Sequence, residues 1–168
     1  MSIDWSEVYR RTFPGLVRFL HRKVWDPERA RDLAQEAFVR ALREEPEQPR
    51  AWLFQVAANL ARDEARTSIR RREHLAVIEG GLSEAAPGPD PLDEAVDADR
   101  RRRLKGALDR LKERDREVLL LWDAGWDYGE IAERTGLAPS AVGTTLARAR
   151  KRLVAAFDTE ERNHAAEG

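Results

Sequence analysis

The sequence predicts an all-α protein: two small helical domains joined by a flexible acidic linker. Three observations carry this. Apolar residues recur at three- and four-residue spacing along nearly the whole chain, and no stretch alternates convincingly at period two. The stretch GGLSEAAPGPDPLDEAVDAD breaks that periodicity with glycine, proline and acids, as a mobile tether does. Charge divides the same way. Residues 1–73 carry 15 Lys/Arg and 12 Asp/Glu, residues 74–99 carry 7 acids and no Lys or Arg, and residues 100–168 carry 15 bases and 12 acids. The overall net charge of −1 conceals two basic lobes flanking an acidic middle.

The elements follow in order. Residues 4–25 put Trp5, Val8, Tyr9, Phe13, Leu16, Val17, Leu20 and Val24 on one apolar face, and Pro14-Gly15 predicts two helices or a kink there. Over residues 27–44, Leu33, Ala37 and Ala41 form one apolar row and Ala34, Phe38 and Leu42 the next. Asp32, Gln35, Glu36 and Arg40 occupy the opposite face. Pro46 and Pro49 mark a loop over residues 44–50. Residues 51–73 read as one long helix with a buried stripe of Trp52, Val56, Leu60 and Ala57. Arg62, Arg66, Arg70, Arg71 and Arg72 give it a basic surface. After the acidic stretch, Leu104, Leu108 and Leu111 lead one helix, and Val118, Leu119, Leu121 and Trp122 the next.

The segment YGEIAERTGLAPSAVGTTLARARKRL then reads as two short helices around a tight turn. Asp127 and Glu130 have capping-box spacing, so a helix starts near Tyr128 with Ile131 and Ala132 inward. Gly136 can take the left-handed conformation that ends it. Leu137 fills the gap between the two helices. Pro139 suits the first turn of the next helix, with Ala138 as a poor N-cap. Val142, Leu146, Ala149 and Leu153 form the buried face of that second helix. Ala141, Thr144, Thr145, Arg148 and Arg152 form its outward face. The spacing is that of a helix-turn-helix whose second helix enters the major groove. A plain helical hairpin with a solvated basic end has the same spacing.

Composition excludes several classes. With no cysteine there is no disulfide framework and no Cys-based zinc site. His21, His74 and His164 are scattered, with no pair at ligand spacing, so no metal and no cofactor are expected. No run approaches a membrane span, and MSIDWSEVYRR lacks a signal-peptide core. A soluble, cytoplasmic chain without membrane insertion is expected. No nucleophile–base pair, metal cluster or phosphate-binding glycine loop marks an enzyme.

The motifs together resemble the extracytoplasmic function (ECF) sigma factors, compact members of the sigma-70 family that carry only the second and fourth sigma regions. DLAQEAFVRAL (32–42) is similar to the segment that docks on the β′ clamp helices of core RNA polymerase. AWLFQVAANLARDEAR (51–66) is similar to the helix that recognises and opens the −10 promoter element. LDRLKERDREVLLLWDAGWDYGEIAERTGLAPSAV (108–142) is similar to region four, which binds the −35 element and the β flap. The likeness covers about residues 4–155.

The resemblance implies a domain plan. Residues 1–73 are region two, 74–99 the linker, 100–160 region four, and 161–168 a disordered tail, with no room for a further C-terminal domain. It makes Asp32, Gln35 and Glu36 a dock for basic residues of core polymerase; a merely solvated face is the alternative. Asn59, Asp63 and Arg66, at i, i+4 and i+7, form a surface for −10 DNA, with Arg70 and Arg71 as phosphate contacts. Trp52 and Phe54 lie beside the −10 reading loop, where an opened base can stack or be captured. Trp52 suits the core better, which leaves loop 44–50 as the candidate for base capture. The acidic linker suits a basic RNA channel, or is a soluble tether.

One departure from the family stands out. Many members carry basic residues where this chain has Gly143 and Thr145. Base reading at −35 then falls to Ala141, Thr144, Thr145 and Arg148, with Arg148, Arg150, Lys151 and Arg152 on phosphates. Gly143 costs about 1 kcal/mol of helix stability relative to alanine. The implied function is a promoter-specificity subunit with core polymerase, promoter DNA and an anti-sigma factor as partners. The alternatives are a sigma mimic that titrates an anti-sigma factor, and a dimeric helix-turn-helix repressor, which the docking and −10-like segments disfavour.

Overall fold

A computed structural model of the chain describes residues 2–79 and 91–168. It divides into two compact units, Met1–Ala86 and Pro87–Gly168. Among the described residues every element is an α-helix: α1 Trp5–Val24, α2 Pro27–Glu44 and α3 Pro49–Glu79 in the first unit; α4 Pro91–Asp109, α5 Glu113–Asp123, α6 Tyr128–Thr135 and α7 Pro139–Glu167 in the second. The all-α, two-domain expectation holds.

In the first unit the helix starts are written locally. The Asp4 carboxylate accepts the Glu7 N–H at 3.1 Å. Asp26 accepts from Glu28 and Arg29 at 3.0 and 3.2 Å, and Pro27 takes the first position, where no donor is lost. The expected break at Pro14-Gly15 is absent, because α1 runs unbroken through it. Pro14 faces solvent, while Phe13, Gly15, Leu16, Phe19 and Leu20 are buried. Burial on both sides of the proline outweighs the one hydrogen bond it removes.

The three helices pack on each other around an aromatic and alanine core. Ala30, Ala34, Ala37 and Ala41 are fully buried on α2, and such small side chains let neighbouring helices approach closely. Phe19 and Phe54, both buried, meet edge to face at 5.0 Å. Truncating either to alanine costs about 3–5 kcal/mol. The α3 stripe differs from the expected one. Leu53, Phe54, Ala57, Leu60 and Ala61 are buried, while Trp52 and Val56 are half-buried. Leu42, placed in an apolar row from sequence, is exposed. On α3 the tertiary contacts shift the buried stripe by about one residue from the one its apolar content suggests, while on α2 Leu33, Ala34, Ala37, Phe38 and Ala41 are buried as expected.

In the second unit Ala107, Leu108, Leu111, Val118, Leu120, Leu121, Ala124, Trp126, Ile131, Ala132, Val142, Leu146 and Ala149 are buried. Gly125, at φ 93°, makes the turn after α5 that only glycine adopts easily. Helices α3 and α4 reach further than the sequence pattern. Helix continues to Glu79 in α3 and resumes at Pro91 in α4, so residues 74–79 and 91–99 of the expected linker are helical. The remaining tether residues lie outside the described residues. The expected disordered tail 161–168 is helical to Glu167. Its side chains meet α4, Arg103 with Glu161 at 3.5 Å and His164 with Asp99 at 3.4 Å, and just before it Glu160 meets Arg110, the residue after α4, at 2.7 Å. Gly106 permits this approach, since a Cβ there would stand 3.0 Å from the Glu160 carboxyl carbon.

Candidate nucleic-acid interface

Three exposed helix faces carry the residues singled out from sequence. On α2, Asp32, Gln35 and Glu36 are exposed, opposite the buried Leu33, Ala34 and Ala37. Val39 and Leu42 continue the same face at helical spacing and are 50% and 53% exposed. The face is therefore polar at one end and apolar at the other. Its acids already have neighbours on their own helix: Arg29 lies 3.6 Å from Asp32, and Arg40 2.6 Å from Glu36. A basic partner competes with these arginines for the same carboxylates.

On α3, Asn59, Asp63, Arg66, Arg70 and Arg71 are all exposed. The amide of Gln55 donates to Asn59 Oδ1 at 3.4 Å, one turn before it. The Thr67 hydroxyl donates to the Asp63 carbonyl at 3.0 Å. Glu64, on the adjacent side of the helix, receives two hydrogen bonds from Arg29. Those bonds hold the Glu64 carboxyl below its ordinary range. Burial opposes them, and the charges of Arg29 and Arg71 add to them. The Arg29 guanidinium is correspondingly raised, first by the bond to Glu64.

The loop between α2 and α3 is shorter than residues 44–50. Glu44 ends α2, Glu45 caps it at φ 45°, and Pro49 already begins α3. Beside it lies a groove of about 310 Å³ lined by Glu7, Val8, Arg11, Thr12, Pro49 and Arg50. Four of these six residues belong to the first turns of α1, which no sequence motif marked. Phe54 is corrected from a stacking candidate to a core residue, because it is fully buried against Phe19.

On α7 the expected local geometry is present. The Asp127 carboxylate accepts the Glu130 N–H at 2.8 Å, and Glu130 accepts the Asp127 N–H at 3.1 Å. Gly136 ends α6 at φ 75°. Thr144, Arg148, Lys151 and Arg152 are exposed along one side of α7. Thr145 is not among them. It is 4% exposed and shares the buried face with Val142, Leu146 and Ala149, so its outward placement is corrected. Adjacent helix residues differ by about 100° in azimuth, and Thr145 falls on the core side of the limit.

The uncharged stretch Gly143-Thr144-Thr145 near the start of α7 acquires a physical reason. A Cβ on Gly143 would stand 3.2 Å from Cε2 of Tyr128. The tyrosine ring, on the first residue of α6, lies over the recognition helix where a side chain would otherwise project. Tyr128 packs on Trp122 at 5.3 Å between centroids, and Arg150 lies over the Trp122 ring at 5.8 Å. Trp122 and Tyr128 remain 39% and 43% exposed, so an aromatic ledge flanks α7. Trp122, one of the apolar residues that lead α5 in the sequence pattern, is thus left exposed while Val118 and Leu121 are buried. Arg152 donates to Asp115 at 2.8 Å and Arg148 stands 3.6 Å from the same carboxylate, whose side chain is 3% exposed. Asp115 lies in the alternating charges of KERDRE and carried no periodic signal.

Two helical units, the second ending in a helix-turn-helix with a cationic helix face, define a modular DNA-binding protein. The comparisons specify it. The family descriptions Sigma-70 region 2 and Sigma-70, region 4 match residues 8–72 and 101–153. RNA polymerase sigma factor CarQ of Myxococcus xanthus is 30% identical over 157 residues, covering 88% of this chain and 86% of CarQ. "Probable RNA polymerase sigma factor RfaY" of Xanthomonas campestris is 32% identical over 151 residues. That match covers 83% of this chain but 38% of RfaY, so this chain spans less than half of that relative's length. Other relatives bear the name ECF RNA polymerase sigma factor. The sigma factor RpoE from Bartonella quintana, crystallised with the anti-sigma factor NepR, shares the fold at TM-score 0.52 and 24% identity. The match covers 92% of this chain and 97% of that one. The chain belongs to the ECF group of the sigma-70 family of RNA polymerase sigma factors. The pairing of region 2 with region 4 supports promoter-directed transcription initiation.

Proposed function

We propose that this chain binds core RNA polymerase in the cytoplasm and directs it to promoters through two separate DNA contacts. The α2 face of Asp32, Gln35, Glu36, Val39 and Leu42 docks on the clamp helices of β′, with basic groups meeting the acids and apolar groups the far end. Asn59, Asp63 and Arg66 on α3 meet the −10 element, with Arg70 and Arg71 on phosphates. The short loop 45–48 and the adjoining groove take the captured base. On α7, Thr144 and Arg148 read the −35 element, and Lys151 contacts phosphate. The β flap meets the second unit. The observation that carries the reading is the presence of all three exposed faces, in order, on units matching regions 2 and 4.

In-vitro transcription with core polymerase on a library of promoters with randomised −10 and −35 elements tests it. The expected result is chain-dependent transcripts that share both elements. A second reading, a sigma mimic that binds an anti-sigma factor without promoter activity, is favoured by the uncharged, tyrosine-covered stretch at Gly143 near the start of α7. It predicts capture of an anti-sigma factor and no transcript from any promoter.

A further inference from the structure

Among the described residues of the second unit, Asp115 is the one buried acidic side chain. Asp115 sits in the first turn of α5, and its carboxylate is 3% exposed. A carboxylate taken out of water is strongly unfavourable unless its charge is met. Here it is met from another element, 33 and 37 residues along the chain. Arg152 Nη1 donates to Oδ2 at 2.8 Å, and Arg148 Nη2 stands 3.6 Å from Oδ1. The two oxygens are thus divided between two arginines one turn apart on α7. Their heads remain half exposed, at 51% for Arg148 and 46% for Arg152.

We propose that Asp115 is a positioning residue for base selection: it anchors Arg152 and steers the Arg148 guanidinium to one azimuth on the recognition helix. Two arginines four residues apart repel each other, and a shared carboxylate lets both heads converge. A free arginine has many rotamers to lose on binding. One steered beforehand loses fewer, so more of its interaction with a base edge appears as preference. Arg148 directs one nitrogen toward Asp115 and keeps its other donors for a guanine edge. Arg152, in the direct bond, is a support rather than a phosphate contact.

The arrangement has a second consequence, of opposite sign. Asp115 cancels charge at the basic stretch in the middle of α7. Removing it raises attraction to any DNA while loosening the preference for one sequence. Loss of folded protein does neither, because it lowers cognate and non-cognate binding in the same ratio.

The proposal rests on α7 reading the −35 element, and the experiment separates the two ideas. Full-length chain assembled with core polymerase is competed between promoter fragments that share one −10 element and differ at randomised −35 positions. Arg148→Ala is expected to lose about tenfold preference at one position. If it changes no preference, the reading of α7 fails. Asp115→Asn is expected to lose a similar preference at that same position while steepening the salt dependence by about one phosphate contact. The double variant is expected to lose no more preference than Arg148→Ala alone. Lys151→Ala, the control, weakens all sequences alike. Arg152→Met leaves Asp115 in place and guards against a folding defect in Asp115→Asn. It is expected to shift preference at the position Arg148 controls by about threefold or more. Overturning results are preference kept in Asp115→Asn while Arg148→Ala loses it, additive losses in the double variant, or uniform weakening by Arg152→Met.

Discussion

Arg29 and Glu64 form a two-pronged ion pair: Arg29 Nε donates to Oε1 at 2.8 Å, and Nη2 donates to Oε2 at 2.7 Å. It pins the start of α2 to the middle of α3, next to Asp63 and one turn or less from Arg66. The exposed faces of α2 and α3 are thereby held in one frame. The Glu64 carboxyl is lowered, chiefly by the Arg29 bond. Its contribution to stability is complete above the unfolded pKa and is lost as pH falls through the lowered folded value. Glu64→Gln is expected to cost about 1 kcal/mol at neutral pH, since both partners are partly exposed and screened by solvent. Urea unfolding of wild type and variant should converge in acid. A difference that persists unchanged in acid would assign the effect to packing instead.

The α2 face should tolerate charge reversal as a fold and fail as a dock. Asp32→Lys with Glu36→Lys places like charges beside Arg29 and Arg40, at a cost near or below about 1 kcal/mol on an exposed helix face. Core polymerase affinity should fall at least about tenfold, because basic groups would then meet lysines. Anisotropy of labelled chain titrated with core reads the affinity, and circular dichroism reads the fold. Wild-type affinity in the double variant would remove this face from the interface.

Gly143 and Tyr128 predict an unusual response to a conservative change. Gly143→Ala gains about 1 kcal/mol of helix propensity. The new Cβ would stand 3.2 Å from Tyr128, whose half-exposed ring can swing away. Stability should change little, while near-ultraviolet dichroism should report the ring leaving Trp122. A large loss of stability with an unchanged spectrum would show that the ring is held and that the glycine is sterically required.

The end of α7 predicts a salt-sensitive contribution to the second unit. Deleting residues 160–168 removes the partners of Arg110, Arg103 and Asp99 described above. Thermal midpoints should fall by an amount equivalent to about 1 kcal/mol at low salt, and by less at high salt, where exposed ion pairs are screened. No change at either salt concentration would mean that these pairs contribute nothing measurable.

The sequence by itself determined the starts of α1, α2, α6 and α7 and the turn between the last two. Asp4, Asp26 with Pro27, Asp127 with Glu130, Gly136 and Pro139 act within four residues of themselves, so their chemistry can be read one residue at a time. The exposed polar faces of α2 and α3 were equally legible, because charged residues at helical spacing leave few other ways to fold an amphipathic helix. Tertiary structure decided what depends on distant partners. Thr144 and Thr145 are the same residue type side by side, and only the packing of α7 on α5 and α6 turns one outward and buries the other. Phe54 rather than Trp52 fills the core because Phe19 waits there. Gly143 looks like a helix defect until Tyr128 is seen above it. The helical tail depends on Arg103 and Arg110, some fifty residues earlier. Asp115 reads as one more surface acid in a charged run until arginines 33 and 37 residues later close over it. Such contacts arise from packing separate helices together, and no local pattern encodes which residue of a charged run ends beneath another helix.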